Sequence, residues 1–217
     1  SVQTRFLGST SLRSITVRVA DNADMAAAEQ AVTDFLTRRH GTTYYWGVAL
    51  LPAERRRHVH AVYALCRAAD DIVDAADRNR RTLATRAVPS RAETKAKITR
   101  ISRQHGLDPS IALAISYQES GWDQRQVSVA NAVGTMQVIP SSGEWASQMV
   151  GRKLNLLDPQ DNITAGVLLL KVLTEQADTT SDAIAGYYQG LASVEANGMY
   201  SDTKQYVSNV KALRSRM

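Results

Sequence analysis

The spacing of apolar residues divides the chain into stretches of different character. Between Ser14 and Val19 polar and apolar residues alternate, which predicts a strand with Ile15, Val17 and Val19 on one face. From Met25 to about Arg39 the spacing becomes helical. Ala28, Val32, Phe35 and Leu36 form the stripe, Asp24 the cap and Gly41 the stop. Pro52 suits the first turn of another helix, in which Val59, Val62, Tyr63, Cys66 and Val73 share a stripe. Residues 78–90, from Arg78-Asn79-Arg80-Arg81 to Pro89-Ser90, are small, basic and aperiodic and predict a linker.

From Arg91 onward the periodicity is helical. Ile98 and Ile101 mark a helix that ends at His105-Gly106, and Asp108-Pro109 opens one that runs to Glu119. Others are predicted near 143–150, from Asp158-Pro159 through Ile163, Val167, Leu170 and Leu173, and from a Ser181 cap to Gln189. The last covers Asp202 to Arg214 with Tyr206, Val210 and Leu213 inward. No alternating strand pattern stands out after residue 91. The expectation is a mainly α protein in four stretches: a strand-helix fragment (1–41), a helical fragment (42–77), a linker (78–90) and a domain (91–217).

Composition narrows the function. At 217 residues and 44% hydrophobic content, one domain with a small appendage can bury a core. Aromatics make up 6%, too few for a base-stacking platform, so no nucleic-acid partner is expected. The net charge of +5 is compatible with a polyanionic partner such as bacterial cell wall. The charge is unevenly built: residues 1–90 hold 13 Arg and no Lys, whereas residues 91–217 hold 7 Arg and 6 Lys. Cys66 is the lone cysteine, so no internal disulfide can form. No apolar run reaches the length of a membrane span, so no stable membrane insertion is expected. The start, Ser1-Val2-Gln3-Thr4-Arg5, has neither an initiator Met nor a signal-peptide core, which suggests a processed or excised product.

The chemistry concentrates in Gln118-Glu119-Ser120-Gly121 and Gly134-Thr135-Met136-Gln137. Glycosidic cleavage needs a carboxyl group that stays protonated at neutral pH. Glu119 follows the apolar run Ile111, Leu113, Ala114 and Ile115 and sits at a helix C-terminus. Desolvation and the negative end of the helix dipole both favour the protonated acid there. Asp123 is a conceivable second acid, though cleavage can run with one acid if a hydroxyl of the substrate supplies the nucleophile. Trp122 and Trp145 could stack on sugar rings or pack in the core.

These residues resemble the soluble lytic transglycosylase domain, which has a lysozyme-like fold of the α+β superfamily. Glu119-Ser120 matches its Glu-Ser pair. Ser128 to Gln137 is similar to its Ser-x-x-Gly-Ala-x-Gly-Leu-Met-Gln turn, Asn162-Ile163-Thr164-Ala165-Gly166 to its Asn-Ile-x-x-Gly segment, and Ala185 to Gly190 to its Ala-Ala-Tyr-Asn-Ala-Gly. The resemblance implies Glu119 as acid/base and peptidoglycan glycan strands as partner, with no cofactor or metal. Ser120 and Gln137 would shape the site or contact glycan, Ser128, Met136 and Tyr188 would join the substrate-binding set, and Tyr187 would hydrogen-bond near the Glu. It also implies an extracellular, cell-wall or periplasmic address. Thr135 stands where the family has Leu, Asn131 where it has Gly, and Tyr188 where it has Asn. Lysozyme-type hydrolysis and a non-catalytic wall-binding module are the alternatives.

Two further resemblances fall in the first part. Tyr44-Tyr45-Trp46-Gly47, Leu50-Leu51-Pro52 and Tyr63 to Asp74 resemble the first Asp-rich helix of squalene/phytoene synthases. Asp70 and Asp74, one helical turn apart, would then be Mg²⁺–diphosphate ligands, with Arg67 nearby; the alternative is a solvated helix face. The second Asp-rich helix of that family is missing, so no prenyl transfer is expected. Leu12 to Val19 and the helix ending Arg38-Arg39-His40-Gly41 resemble the periplasmic core of macrolide-export-type ABC transporter permeases. The chain therefore reads as a composite. His58 and His60, at i and i+2, face different sides of a helix and make a poor metal pair.

Overall fold

The computed structural model describes the backbone of residues 2–3, 16–17 and 53–217, and side chains at 65 and from 68 onward. The chain divides into two compact units, Ser1–Asp74 and Ala75–Met217. In the first, strands β1 (Val2–Gln3) and β2 (Thr16–Val17) pair antiparallel, Val2 opposite Val17. β2 lies inside the strand expected over Ser14–Val19. The helix expected over Met25–Arg39, the stretch around Thr43–Trp46, and the side chains of His58, His60, Cys66 and Arg67 lie outside the described residues.

Helix α1 (Ala53–Ala84) begins in the first unit and ends in the second. The stretch expected to be a linker from residue 78 is therefore helical as far as Ala84, and only residues 85–90 are not. Asn79 Nδ2 on this last part donates to Asn131 Oδ1 at 2.7 Å. Leu83 on the same part is fully buried, but one apolar residue and a polar tertiary bond do not make a periodic stripe.

Seven more helices follow. Ser90 caps α2 (Arg91–Gln104) through a reciprocal bond with Glu93, a capping box. Asp108 caps α3 (Pro109–Ser120), which Gly121 ends in the left-handed conformation. α4 (Pro140–Val150) starts three residues before its expected position, because Pro140 supplies its first turn. Asp158 caps α5 (Pro159–Gln176). Thr179, rather than Ser181, caps α6 (Thr180–Gln189), its hydroxyl accepting from Asp182 N. α7 (Leu191–Asn197) lies outside the helices expected from spacing, since about two turns are too few to show a stripe. α8 (Ser201–Arg214) closes the domain.

The burial pattern ranks these helices. Ile111–Ser116 of α3 and Asn162–Leu168 of α5 are buried at every position, so both are central. α3 packs against α2 and α8, while α5 is flanked by α2, α4 and α6 and touches α3. Ile98, Ile101, Ile115, Met136, Ile163, Leu170, Ile184 and Val210 form their common core. Arg214 on α8 reaches Asp108 and Ser110 at the start of α3, so the two helices run antiparallel.

Between α3 and α4 the chain makes a compact loop with two antiparallel bridges, Val127 to Val133 and Val133 to Val138. Two buried amides hold it. Gln124 Oε1 accepts from Thr135 N (3.0 Å) and Thr135 Oγ1 (2.9 Å), and its Nε2 donates to Leu156 O (3.0 Å). Asn162 Oδ1 accepts from Met136 N (2.9 Å), and its Nδ2 donates to Val133 O (2.7 Å) and Leu156 O (3.1 Å). Gly134, with φ +75°, is pressed between them: a Cβ there would lie 2.5 Å from Gln124 Nε2 and 2.7 Å from Asn162 Nδ2.

Removing one amide strands several buried polar groups. Asn162→Ala is expected to lower stability by on the order of 3 kcal/mol or more, and Gly134→Ala by a comparable amount through clash and backbone strain. Urea denaturation at neutral pH checks both; an unchanged midpoint for Asn162→Ala would contradict the clamp.

Candidate active site

Glu119 occupies the last turn of α3, where its backbone position is fixed by the buried run before it and by Gly121 after it. Its side chain retains some accessible surface, but packed protein surrounds the carboxyl. Tyr206 Oη, from the buried face of α8, donates to Glu119 Oε1 at 2.5 Å. Burial raises the Glu119 pKa to about 7, against the opposing effect of the Tyr206 hydrogen bond, which favours the carboxylate. Tyr206 and Tyr187 both have their phenol pKa pushed well above the usual value, first by burial and then by the Glu119 charge. The carboxyl is thus flanked by neutral phenols.

The turn Gly134–Gln137 carries the rest of the site. Ser120 Oγ donates to Thr135 O at 2.8 Å, with Ser116 O at 3.2 Å. Tyr187 Oη donates to the next carbonyl, Met136 O, at 2.7 Å. Two successive carbonyls of one turn therefore receive a hydroxyl from α3, beside the acid, and one from α6. Gln137 (φ +46°) turns its side chain back, Nε2 donating to Gln126 O (3.1 Å) and Gly134 O (3.0 Å). Ser128 closes the neighbouring loop, its Oγ accepting from Ala132 N at 3.0 Å.

The geometry bears on several expectations. Tyr187 is near the acid, yet the phenol bonded to Glu119 is that of Tyr206, expected only as an inward core residue. Met136 is fully buried, and a Cβ on Gly166 would lie 2.5 Å from its own Cβ; its side chain is core and cannot touch glycan. Both carboxylate oxygens of Asp123 accept locally, from Arg125 N (2.9 Å) and Gln126 Nε2 (3.2 Å), so it closes a turn rather than serving as a second acid. Trp122 is pinned by its Nε1 to Leu113 O (3.1 Å) and Ser116 Oγ (3.0 Å) and packs on the core. Trp145 and Tyr188 are each 38% exposed. Asp70 and Asp74 are exposed on α1, and among the described residues no three His, Cys, Asp or Glu side chains converge as a metal site. Tyr206 had a readable signal, because a buried tyrosine needs a partner for its hydroxyl. Its partner lies 87 residues away, beyond any local spacing.

The family model of the transglycosylase SLT domain matches residues 97–209, just over half of the chain. The chain belongs to this family. The described SLT domain includes every part of the Glu119 site. The membrane-bound lytic murein transglycosylase C of Actinobacillus succinogenes is 39% identical over 85 residues, 36% of this chain and 24% of that protein. The chain spans about a quarter of the length of the curated transglycosylases it matches. The lytic transglycosylase Slt of Pseudomonas aeruginosa, solved as an inactive mutant, superposes with a TM-score of 0.52 at 23% identity. That superposition covers 87% of this chain and 36% of the Slt chain, and it shows the shared fold. The 70 kDa soluble lytic transglycosylase of Escherichia coli gives 0.51 at 22%, over 92% and 37% of the two chains.

A macrolide export ATP-binding/permease protein of Paracoccus denitrificans is 67% identical over 42 residues, 19% of this chain and 6% of its own. The squalene/phytoene synthase family model matches residues 37–136. Residues 97–136 fall in both family models, and in the structure they build the α3 acid and its turn.

Tyr206→Phe removes the donor to the carboxylate but keeps the ring. The Glu119 pKa should then rise further, moving the alkaline limb of a pH–activity profile upward. The rate should fall by roughly ten- to a hundredfold, the loss of one hydrogen bond to a charged group. An alkaline limb that moves down instead would contradict this account.

Proposed function

We propose that this SLT domain is a peptidoglycan lytic transglycosylase acting on the bond between N-acetylmuramic acid and N-acetylglucosamine, outside the cytoplasmic membrane. The observation that carries the reading is a single carboxyl, Glu119, held near neutral pKa by burial, with a phenol hydrogen-bonded to it. Among the described residues no second carboxylate perturbs it.

Protonated Glu119 gives its proton to the glycosidic oxygen as the anomeric C–O bond breaks. The carboxylate so formed is stabilised by Tyr206 Oη. It then takes the proton of the muramoyl C6 hydroxyl as that oxygen bonds to the anomeric carbon. Acid is regenerated, no water is consumed, and a 1,6-anhydro ring results. Substrate-assisted cleavage of this kind needs one protein carboxyl rather than two. Tyr187 and Ser120 hold the turn against the acid's helix. Gln137 and Ser128 are offered as glycan contacts, and Asp70 and Asp74 take no part. We place the catalytic unit at Ala75–Met217, because Asn79 on the end of α1 bonds the loop at Asn131.

Glu119→Gln should abolish release of muropeptides from purified sacculi while the far-UV spectrum and melting behaviour persist. Mass spectrometry of wild-type digests should show products one water lighter than those of hydrolysis. Undiminished release by Glu119→Gln would sink the assignment, and hydrolysed ends would replace it with lysozyme-type chemistry. Since Glu119 must be protonated to act as the acid, turnover should decline as pH rises through about 7.

A further inference from the structure

Beside the acid lies an aromatic stack that the Glu119–Tyr206 hydrogen bond does not by itself require. The rings of Tyr188 and Tyr206 are nearly parallel, 4.5 Å between centroids and 20° between planes. The stack is imposed by the backbone. Gln189, next to Tyr188 and buried, accepts from Tyr200 N (3.1 Å) and Thr203 Oγ1 (2.6 Å) and donates to Gly198 O (2.9 Å). These bonds tie the end of α6 to the start of α8, one residue from one ring and three from the other. Tyr206 is 7% exposed and Tyr188 38%, so Tyr188 is the layer between Tyr206 and solvent.

We propose that Tyr188 is a positioning residue that acts through Tyr206: its ring keeps the Tyr206 hydroxyl on Glu119 and shields that hydrogen bond from water. The proposal rests on Glu119 being the acid. It goes beyond a glycan contact, because it assigns Tyr188 an effect on the reacting proton. A tyrosine side chain turns about two torsions, and an offset ring partner restricts both. Among the described residues, the ionisable groups acting on this pair are Tyr206 on α8 and Tyr187 and Tyr188 on α6. Asp202, at the start of α8, lies 3.5 Å from Tyr188 Oη at the outer edge of the stack. Removing the ring admits water to Glu119, which eases ionisation of the carboxyl.

The test combines kinetics on sacculi with a ¹³C NMR titration of the Glu119 carboxyl, in the full chain. Tyr188→Ala should lower kcat by roughly three- to tenfold, the size of one aromatic pair, with KM within about twofold. The Glu119 titration and the alkaline limb should both move to lower pH, because burial is the larger of the two effects on that carboxyl and a loosened Tyr206 hydrogen bond offsets only part of the shift. Tyr188→Phe, which keeps the ring, should keep the wild-type Glu119 titration and most of kcat. In a Tyr206→Phe background the kcat loss from Tyr188→Ala should largely vanish, since the two residues act as one unit. Should Tyr188→Ala fail to fold, Tyr188→Leu, apolar but ringless, is read in the same way. A loss confined to KM would make Tyr188 a glycan contact only and overturn the proposal. So would an unmoved Glu119 titration, additive effects with Tyr206→Phe, or Tyr188→Phe behaving like Tyr188→Ala. A wild type without turnover would refute the transglycosylase reading, and the NMR titration would still decide the role of Tyr188.

Discussion

Everything at this site depends on how the turn Gly134–Gln137 is held, and it is held by two buried side-chain amides. Gln124 and Asn162 each make three hydrogen bonds, and together they fix Val133, Thr135, Met136 and Leu156. In a low-dielectric interior such a network is rigid when complete and costly when broken. The turn then serves as a frame for the helices around it, receiving Ser120 from α3 and Tyr187 from α6 on adjacent carbonyls. Gly134 is obligatory to this arrangement because the amides approach to where a Cβ would be. Thr135, unusual for the family, fits because its hydroxyl supplies a second donor to Gln124 Oε1.

This rigidity holds a group that opposes folding. A carboxyl whose folded pKa is raised from 4.5 to about 7 favours the folded state fully below the lower value. Its contribution is lost progressively as pH rises between the two, because the folded state binds the proton more tightly than the unfolded chain does. Above about pH 7 Glu119 therefore carries an ionisation cost that the rest of the core must offset. The buried runs of α3 and α5 and the clamp between them are where that reserve lies.

Much of the α-helical domain was legible from spacing, because α2, α3, α5 and α8 have caps and apolar stripes that local rules detect. The place of Glu119 at the buried end of α3 is legible from the apolar run before it, while its candidacy as the acid comes from the Gly134–Gln137 and Ala185–Gly190 motifs that accompany it. Tyr206 was placed inward on α8 but without its role, since its bond to Glu119 depends on how α3 and α8 pack antiparallel. The motif places Met136 on the right turn, but its side chain points into the core: a motif gives neighbourhood, whereas side-chain direction comes from tertiary packing. The end of α1 is not legible from spacing because Leu83 is the one buried position between residues 78 and 84, and the tie to the loop is the polar bond from Asn79.

The chemistry of a lone acid explains why its pKa is set where it is. In a two-carboxylate enzyme, one group donates and another attacks or activates, and their pKa values are driven apart. In the proposed reaction one carboxyl must donate a proton and then accept one, within a single turnover. A pKa near 4.5 would leave too little acid at neutral pH for the first step. A much higher one would make the carboxyl group too weak a donor to the leaving oxygen. Burial alone pushes upward without limit, so a counterweight that favours the carboxylate is needed, and Tyr206 supplies it. The phenol is suited to this because its own ionisation is suppressed by the same burial and by the charge it stabilises. It donates in both halves of the reaction without competing for the proton.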